Sequence, residues 1–293
     1  MKRLLLTAAL VLVPLASGAE SFPDAKRVLS LGGSVTEIIY ALGAEDRLVA
    51  RDQTSSYPPA AQGLTDVGYV RALSPEGVLS VAPDLIVADI GAGPPEAVSV
   101  IKAAGIPYVE VPETYTPEGI AAKIEVISGA LGLEDKGAEM AAALKADLNK
   151  VAARNSKVAT KKKVLFILSL QGGRVMAGGQ GTSADGIIRL AGAENALQGI
   201  AGYNPNTDEA ITEAAPDVVL MMQRGDEGAD AALNGGDNHG GAKEAALALP
   251  ALKTTPAGQA NAFVMMDGLL LLGFGPRTGQ AALDLHDAIY GGA

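Results

Sequence analysis

The sequence predicts an α/β protein of two Rossmann-like lobes, each with a mainly parallel central sheet, joined by one long spanning helix. Three observations lead to this prediction. Short apolar runs alternate with amphipathic segments along the chain, a pattern typical of parallel sheets covered by helices on both faces. A sequence repeat occurs once in each half, and a long helical segment separates its two copies. Two lobes arranged in this way leave a cleft in which a ligand can bind.

The first half of the chain contains the elements of the predicted N-terminal lobe. Ser34 and Glu37 form a capping-box pattern, which predicts a helix through Leu42. Ser74 before Pro75 predicts the start of another helix, because serine caps helices and proline suits the first helical position. Short apolar runs predict strands at residues 27–31, 48–50, 84–88 and 106–111.

A long helical segment follows at mid-chain. Thr116 before Pro117 predicts its N-terminus. Apolar residues then recur at spacings of three and four, as on one face of a helix. Gly132 interrupts this stripe, which continues to Val151. Its other members are Ile120, Ile124, Ile127, Leu131, Met140, Leu144 and Leu148.

The second half of the chain resumes the alternation of strands and helices. We predict strands at residues 164–168, 218–222 and 262–266, and a last helix at 278–290. The predicted domain boundaries follow from these elements: an N-terminal lobe at 24–113, a spanning helical linker at 114–153 and a C-terminal lobe at 161–293.

The repeat aligns residues 74–87 with residues 207–220. Each copy has a Ser or Thr helix cap, an acidic residue two positions later, a short helix, a Pro-Asp pair and an apolar strand. The acidic residues are Glu76 and Glu209. The repeat therefore predicts one equivalent first-turn carboxylate in each lobe.

The first 19 residues have the pattern of a secretory signal peptide. A basic start is followed by an apolar run from Leu4 to Leu15 and by small residues ending at Ala19. The apolar run is too short to span a bilayer. We therefore expect removal of residues 1–19, export to the periplasm, and a mature chain with no stable membrane insertion.

The composition excludes several kinds of site. The 293 residues include no cysteine, which excludes disulfides, thiolate catalysis, Cys-based zinc sites and a lipid-anchored lipoprotein. With only two histidines, a His-cluster metal site is nearly excluded. The 33 acidic and 23 basic residues give a net charge of −10, which argues against a nucleic-acid surface.

Glycine-rich segments raise the alternative of an enzyme with a nucleotide cofactor. Residues 32–34 lack the third glycine of a dinucleotide fingerprint, although Asp52 lies near the expected position of a ribose-binding acid. Residues 178–182 lack the lysine of a P-loop, and the chain has no G-x-S-x-G serine-hydrolase motif. We therefore expect a binding protein and not an enzyme.

Tyr69 and Arg71 are the most informative pair in the chain. Two residues apart in an extended segment, their side chains can point to the same side. A tyrosine phenolate can bind the iron of ferric haem, and a nearby guanidinium favours the phenolate form. The residues alone leave open an ordinary loop tyrosine beside a solvated arginine.

Residues 67–77 resemble the V-G-Y-x-R-x-L-S-x-E-G stretch of periplasmic haem-binding proteins of bacterial haem ABC importers. Those proteins belong to the helical-backbone class of substrate-binding proteins, which also holds cobalamin- and siderophore-binding members. Residues 27–42, 178–195 and 266–277 are similar to further segments of the same family. The resemblance thus covers nearly all of the mature chain.

The resemblance implies that Tyr69 is the axial ligand of ferric haem, carried as cargo, and that Arg71 hydrogen-bonds the phenolic oxygen or a propionate. Arg224 follows a second-lobe strand and is expected to face the haem from the opposite lobe. Glu76 and Glu209 are expected to dock onto the inner-membrane ABC permease of a haem importer. The protein is expected to act as a monomer.

Two alternatives stay open. A binding protein for cobalamin or a ferric siderophore would share the fold but would need no tyrosinate. An α/β enzyme with a nucleotide cofactor would bind ATP or NAD. His239, in a Gly-rich loop at 225–241, is a further candidate for a second haem ligand.

Overall fold

The computed structural model describes residues 20–171, 174–223 and 239–291, so the predicted signal peptide lies outside the described residues. The predicted α/β class with two lobes and mainly parallel sheets is confirmed. Among the described residues, the N-terminal sheet has five strands in the order β3-β2-β1-β4-β5, all paired in parallel. They are β1 (Val28–Leu31), β2 (Leu48–Arg51), β3 (Thr65–Asp66), β4 (Leu85–Asp89) and β5 (Tyr108–Val111).

The C-terminal sheet is mixed. Over the described part of the chain its path is β11-β10-β6-β7-β9, with β8 paired to β6. Strand β6 is parallel to β8 and β10, and β10 is parallel to β11, whereas β7 is antiparallel to both β6 and β9. The strands are β6 (Lys163–Gln171), β7 (Arg174–Gly178), β8 (Glu194–Asn195), β9 (Tyr203–Asn206), β10 (Val218–Gln223) and β11 (Phe263–Asp267).

Helices cover and connect the two sheets. In the first half they are α1 (Gly33–Ala41), α2 (Pro75–Ser80), α3 (Pro95–Ala103), α4 (Pro117–Leu131) and α5 (Glu134–Asn155). In the second half they are α6 (Ser183–Leu190), α7 (Asp208–Ala214), α8 (His239–Ala248), α9 (Pro250–Lys253), α10 (Pro256–Ala260), α11 (Gly268–Leu272) and α12 (Thr278–Tyr290). None of the helices in the described residues is both long and apolar enough to cross a membrane.

Helices α4 and α5 connect the lobes. Helix α4 ends at Gly132, whose φ of 69° is the left-handed conformation that glycine favours at helix ends. Helix α5 then runs for 22 residues, about 33 Å at the usual rise per residue. Near its start, Lys136 Nζ donates to the carbonyl of Leu42 in the N-terminal lobe. At its end, Asn155 Nδ2 donates to the carbonyl of Leu190 in the C-terminal lobe, so α5 spans both lobes.

One apolar core runs through both lobes and both connecting helices. It contains buried side chains from α1 (Ile38), α4 (Ile124), α5 (Leu144), β6 (Phe166) and α11 (Leu271). Two smaller clusters lie on the other faces of the two sheets. Because close-packed side chains resist sliding, this shared core limits movement of one lobe against the other.

The predicted sequence repeat is present in the structure. Ser74 and Thr207 each cap a short helix by accepting a hydrogen bond from the backbone N–H three residues on. After each helix, Ala82 and Ala215 have the same positive φ of 43°. The two lobes therefore turn from helix to strand in the same way at this point.

The capping-box prediction at Ser34 and Glu37 is wrong. Gly32 occupies the N-cap position of α1, and no side chain caps that helix. Glu37 instead accepts two hydrogen bonds from Arg277 of the other lobe, from Nε to Oε1 at 2.9 Å and from Nη2 to Oε2 at 2.8 Å. The Arg277 guanidinium carbon also lies 3.5 Å from the ring centroid of Tyr57. This ion pair ties the two lobes together.

Candidate ligand-binding cleft

A cleft of about 760 Å³ opens at the carboxyl ends of the N-terminal strands. Each strand brings a side chain to it: Ser34 follows β1, Gln53 follows β2, Tyr69 follows β3, Asp89 ends β4 and Glu113 follows β5. Parallel sheets commonly bind ligands at this edge, since all strands end there and the chain leaves in turns. The volume falls within the usual range for small-molecule sites.

The opposite wall comes from the C-terminal lobe and is more apolar. Leu168 of β6, Met222 of β10, and Leu269 and Leu272 of α11 line it. Polar atoms on this side come mainly from Ser169, Gln223 and Asp267. A cleft with one polar and one apolar wall suits a flat ligand that is apolar over its faces and charged at an edge.

Tyr69 and Arg71 both line the cleft, as the extended spacing predicted. The Tyr69 side chain packs on one side against the apolar cluster beneath the sheet edge and is partly exposed. Arg71 is exposed, and its guanidinium passes over Gly91, where an added Cβ would lie 3.3 Å from Nη1. Neither side chain makes a hydrogen bond or ion pair with any residue that the structure describes. The phenol and the guanidinium are thus both available to a ligand.

Arg224 lies outside the described residues, as does most of the Gly-rich loop before His239. Gln223, the residue before Arg224, ends β10 and lines the cleft. The prediction that Arg224 faces the ligand from the second lobe therefore stays a prediction.

Arg51 is a cleft residue that the sequence reasoning missed. Its Nη1 donates to Asp66 Oδ2 at 2.9 Å and to the carbonyl of Asp52 at 3.0 Å. Its side chain is only 12% exposed. The signal that could have found it is its place at the carboxyl end of a predicted strand, the edge at which parallel sheets gather ligand groups.

The Asp52 carboxylate accepts hydrogen bonds from its own turn and from the residue that follows β1. Its carboxylate accepts hydrogen bonds from Gly32 N at 2.8 Å, Thr54 N at 2.8 Å, Thr54 Oγ1 at 2.7 Å and Ser55 Oγ at 2.8 Å. A carboxylate held this way has few acceptor positions left for a ribose hydroxyl. This arrangement argues against the nucleotide-cofactor alternative.

Lys123 of α4 is fully buried beneath the cleft floor. Its Nζ donates to Ser34 Oγ at 2.9 Å, to Glu113 Oε1 at 3.4 Å and to the carbonyl of Gly273 at 3.3 Å. Ser34 belongs to the N-terminal lobe and Gly273 to the C-terminal lobe. A single buried cation therefore joins both lobes and the linker directly under the ligand space.

Asp89 differs from the other carboxylates of the cleft. Its Oδ1 atom is buried and has no hydrogen-bond partner among the described residues. Burial raises the pKa of Asp89 to about 7, against the opposing effect of the Lys123 cation. Glu113 and Asp52 add to the rise, and Arg71 opposes it. Near neutral pH this side chain is thus poised between its neutral and its charged form.

Glu76 and Glu209 lie in the first turns of α2 and α7, and both are exposed. Hydrogen bonds to the Glu209 carboxylate, from its own backbone N–H and then from Thr207, lower its pKa. Each lobe therefore presents one exposed carboxylate at an equivalent helix start.

Known proteins are similar to this chain in structure or in sequence. The periplasmic heme-binding protein BhuT, solved in complex with two hemes, is 40% identical, with a TM-score of 0.80 over 90% of this chain and 97% of that one. A vitamin B12-binding protein of Vibrio campbellii is 29% identical over 72% of this chain and 76% of its own length. An uncharacterised ABC transporter substrate-binding lipoprotein of Bacillus subtilis is 28% identical over 67% of this chain, and the match spans 63% of its length.

A family model described as "Periplasmic binding protein" matches residues 28–268, which include both sheets and the whole described cleft wall up to Gly268. The similar proteins named above are binding proteins, in line with the expectation that this chain is not an enzyme. The chain belongs to the periplasmic binding protein family.

Proposed function

We propose that this protein captures ferric haem in the periplasm through the Tyr69 phenolate and delivers it to an inner-membrane ABC transporter. The observation that carries the proposal is the pairing of an unengaged phenol and an unengaged guanidinium in a cleft whose far wall is apolar. Tyr69 would hold the iron, because a phenolate oxygen is a suitable axial ligand for ferric haem. Arg71 would stabilise the phenolate or hold a propionate.

The similarity to the haem-binding protein BhuT supports this proposal, as do the other haem-binding structures at 34% and 33% identity. A cobalamin-binding protein is the second candidate, because B12-binding proteins are also among the relatives. Cobalamin carries its own metal in a ring that needs no tyrosinate. The two candidates therefore differ in their dependence on Tyr69.

The test is a hemin titration of the mature chain, followed by its visible spectrum, with Tyr69→Phe as the variant. Loss of the phenolate should remove the tyrosinate-type high-spin spectrum and weaken hemin binding by more than about tenfold. Tyr108→Phe is the matched control, since Tyr108 lies in β5 and is not among the residues that line the cleft.

An unchanged spectrum in Tyr69→Phe would contradict tyrosinate ligation. Saturable binding of cyanocobalamin, unaffected by Tyr69→Phe, together with no saturable hemin complex, would instead favour the cobalamin-binding candidate.

We further propose that Glu76 and Glu209 dock on the permease, one from each lobe, and that the mature chain is a periplasmic monomer made by removal of residues 1–19. The exposure of both carboxylates at equivalent helix starts supports the docking role. The domain division at 24–113, 114–153 and 161–293 belongs to the same proposal.

A further inference from the structure

The floor of the cleft gathers more carboxylates than cations. Asp89 is influenced by Lys123 from α4, Glu113 after β5, Asp52 after β2 and Arg71 from the loop after β3. This group of interacting charges thus contains three carboxylates, including Asp89 itself, and two cations. The buried cation, Lys123, is already engaged by Glu113, Ser34 and the Gly273 carbonyl. Asp52 is satisfied by backbone N–H groups and hydroxyls instead. Asp89 is therefore the one carboxylate of the three that has neither a bonded cation nor a hydrogen-bond donor among the described residues.

The local packing fixes the Asp89 carboxyl in this position. Its Oδ2 lies so close to Gly32 that a Cβ added there would overlap it. Its Oδ1 is buried without a partner among the described residues, while the side chain as a whole forms part of the cleft wall. Ionising a carboxyl group that has one oxygen buried and unpaired is costly, and the neutral acid is much less so.

We propose that Asp89 determines which ligands the cleft accepts by its protonation: its neutral form admits an anionic ligand, and its ionised form repels it. This inference rests on the proposed function, because haem carries two propionates. Negative charge that a ligand brings near the buried Oδ1 adds to the cost of ionising Asp89. Loading should therefore take up a proton onto Asp89.

The direction of the pH dependence follows from the pKa of Asp89, which is about 7 in the empty cleft. An anionic ligand raises this pKa further. The contribution of Asp89 to affinity should then be greatest below about pH 7 and should fall as the pH rises toward the higher pKa of the loaded state. A rise of one unit corresponds to about a tenfold change in affinity.

The test compares hemin affinity at pH 6 and pH 9 in the wild type, Asp89→Asn and Asp66→Asn. Asparagine copies the shape of the neutral acid, so the ratio of wild-type to Asp89→Asn affinity should fall by about tenfold between pH 6 and pH 9. Proton release from Tyr69 on ligation is common to both proteins and cancels in this ratio. Asp66→Asn removes an exposed cleft carboxylate and should keep the wild-type pH ratio. Calorimetry in two buffers of different ionisation enthalpy should show that, near pH 7.5, the wild type takes up more protons on binding hemin than Asp89→Asn does.

Hemin dimethyl ester, which has no carboxylates, provides the second arm. Its affinity should lack the fall with rising pH that Asp89 causes, because the ester brings no negative charge to Asp89. The same pH ratio for the ester and the free acid, or for Asp89→Asn and the wild type, would overturn the inference while leaving haem binding intact. Absence of any saturable hemin complex would instead overturn the proposed function.

Discussion

The buried side chain of Lys123 bonds to three separate parts of the chain beneath the cleft. It has no exposed surface, yet its ammonium group reaches a hydroxyl, a carboxylate and a carbonyl from three parts of the chain. Burying a charge is tolerated only when such partners replace water. The lysine therefore depends on Glu113 for its charge balance and in turn holds Glu113 at the cleft floor.

Replacing Lys123 by methionine should destabilise the protein by about 3 kcal/mol, because it leaves Glu113 without its cation in a partly buried place. Urea unfolding measures the change. The double variant Lys123→Met with Glu113→Gln should recover part of the loss, since no charge is then left unpaired. Additive losses in the double variant would show that the two side chains are not coupled.

At the scale of residues, the sequence could predict some of the cleft but not the rest. Tyr69 and Arg71 were found because their spacing in an extended segment puts them on one side, a local property. The raised pKa of Asp89 and the complete burial of Lys123 depend on long-range packing, because β4 and α4 come together only in the folded protein, beneath the cleft. The Ser34–Glu37 capping box failed for the same reason, since a distant arginine competes for the Glu37 carboxylate.

At the scale of elements, helices and strands with strong local sequence patterns were predicted, and strands with weak patterns were missed. The last helix begins and ends at residues 278 and 290, as predicted. The missed strands were β3, β7, β8 and β9; β3 and β8 have only two residues each, and β9 contains Pro205. Such segments carry little periodicity, and pairing with a neighbouring strand decides their structure.

The break between α4 and α5 provides a matched pair of substitutions. Gly132→Ala should destabilise the protein by more than about 1 kcal/mol, because alanine is strained at a left-handed helix end and its Cβ would lie 2.8 Å from Pro23 Cβ. Gly129→Ala, one turn earlier and with nothing within 4 Å of the added Cβ, should stabilise by up to about 1 kcal/mol. Denaturant unfolding of both variants tests the pair, and equal effects would contradict the assigned helix end.

At the scale of the whole molecule, the proposed docking role requires that both lobes contribute to association with a permease. Under that proposal, Glu76→Lys and Glu209→Lys should each weaken association with the ABC permease in proteoliposomes by about tenfold, and the loss should shrink at high salt. Hemin binding should stay unchanged, because neither residue is among those lining the cleft. Glu134→Lys, at the first turn of α5, is the control for a general charge effect. Equal loss in all three variants would contradict a specific docking role.

The Glu37–Arg277 pair bears on how the lobes can move relative to one another. Ser34 lines the cleft, and Glu37 lies one turn further along α1. Two charge-assisted hydrogen bonds, in a partly buried place, join Glu37 of one lobe to Arg277 of the other. Separating the lobes at this point would break both bonds and leave two charges partly buried without a partner, which is costly. Movements that open the cleft elsewhere, with this contact kept, therefore cost less free energy than separation of the two lobes.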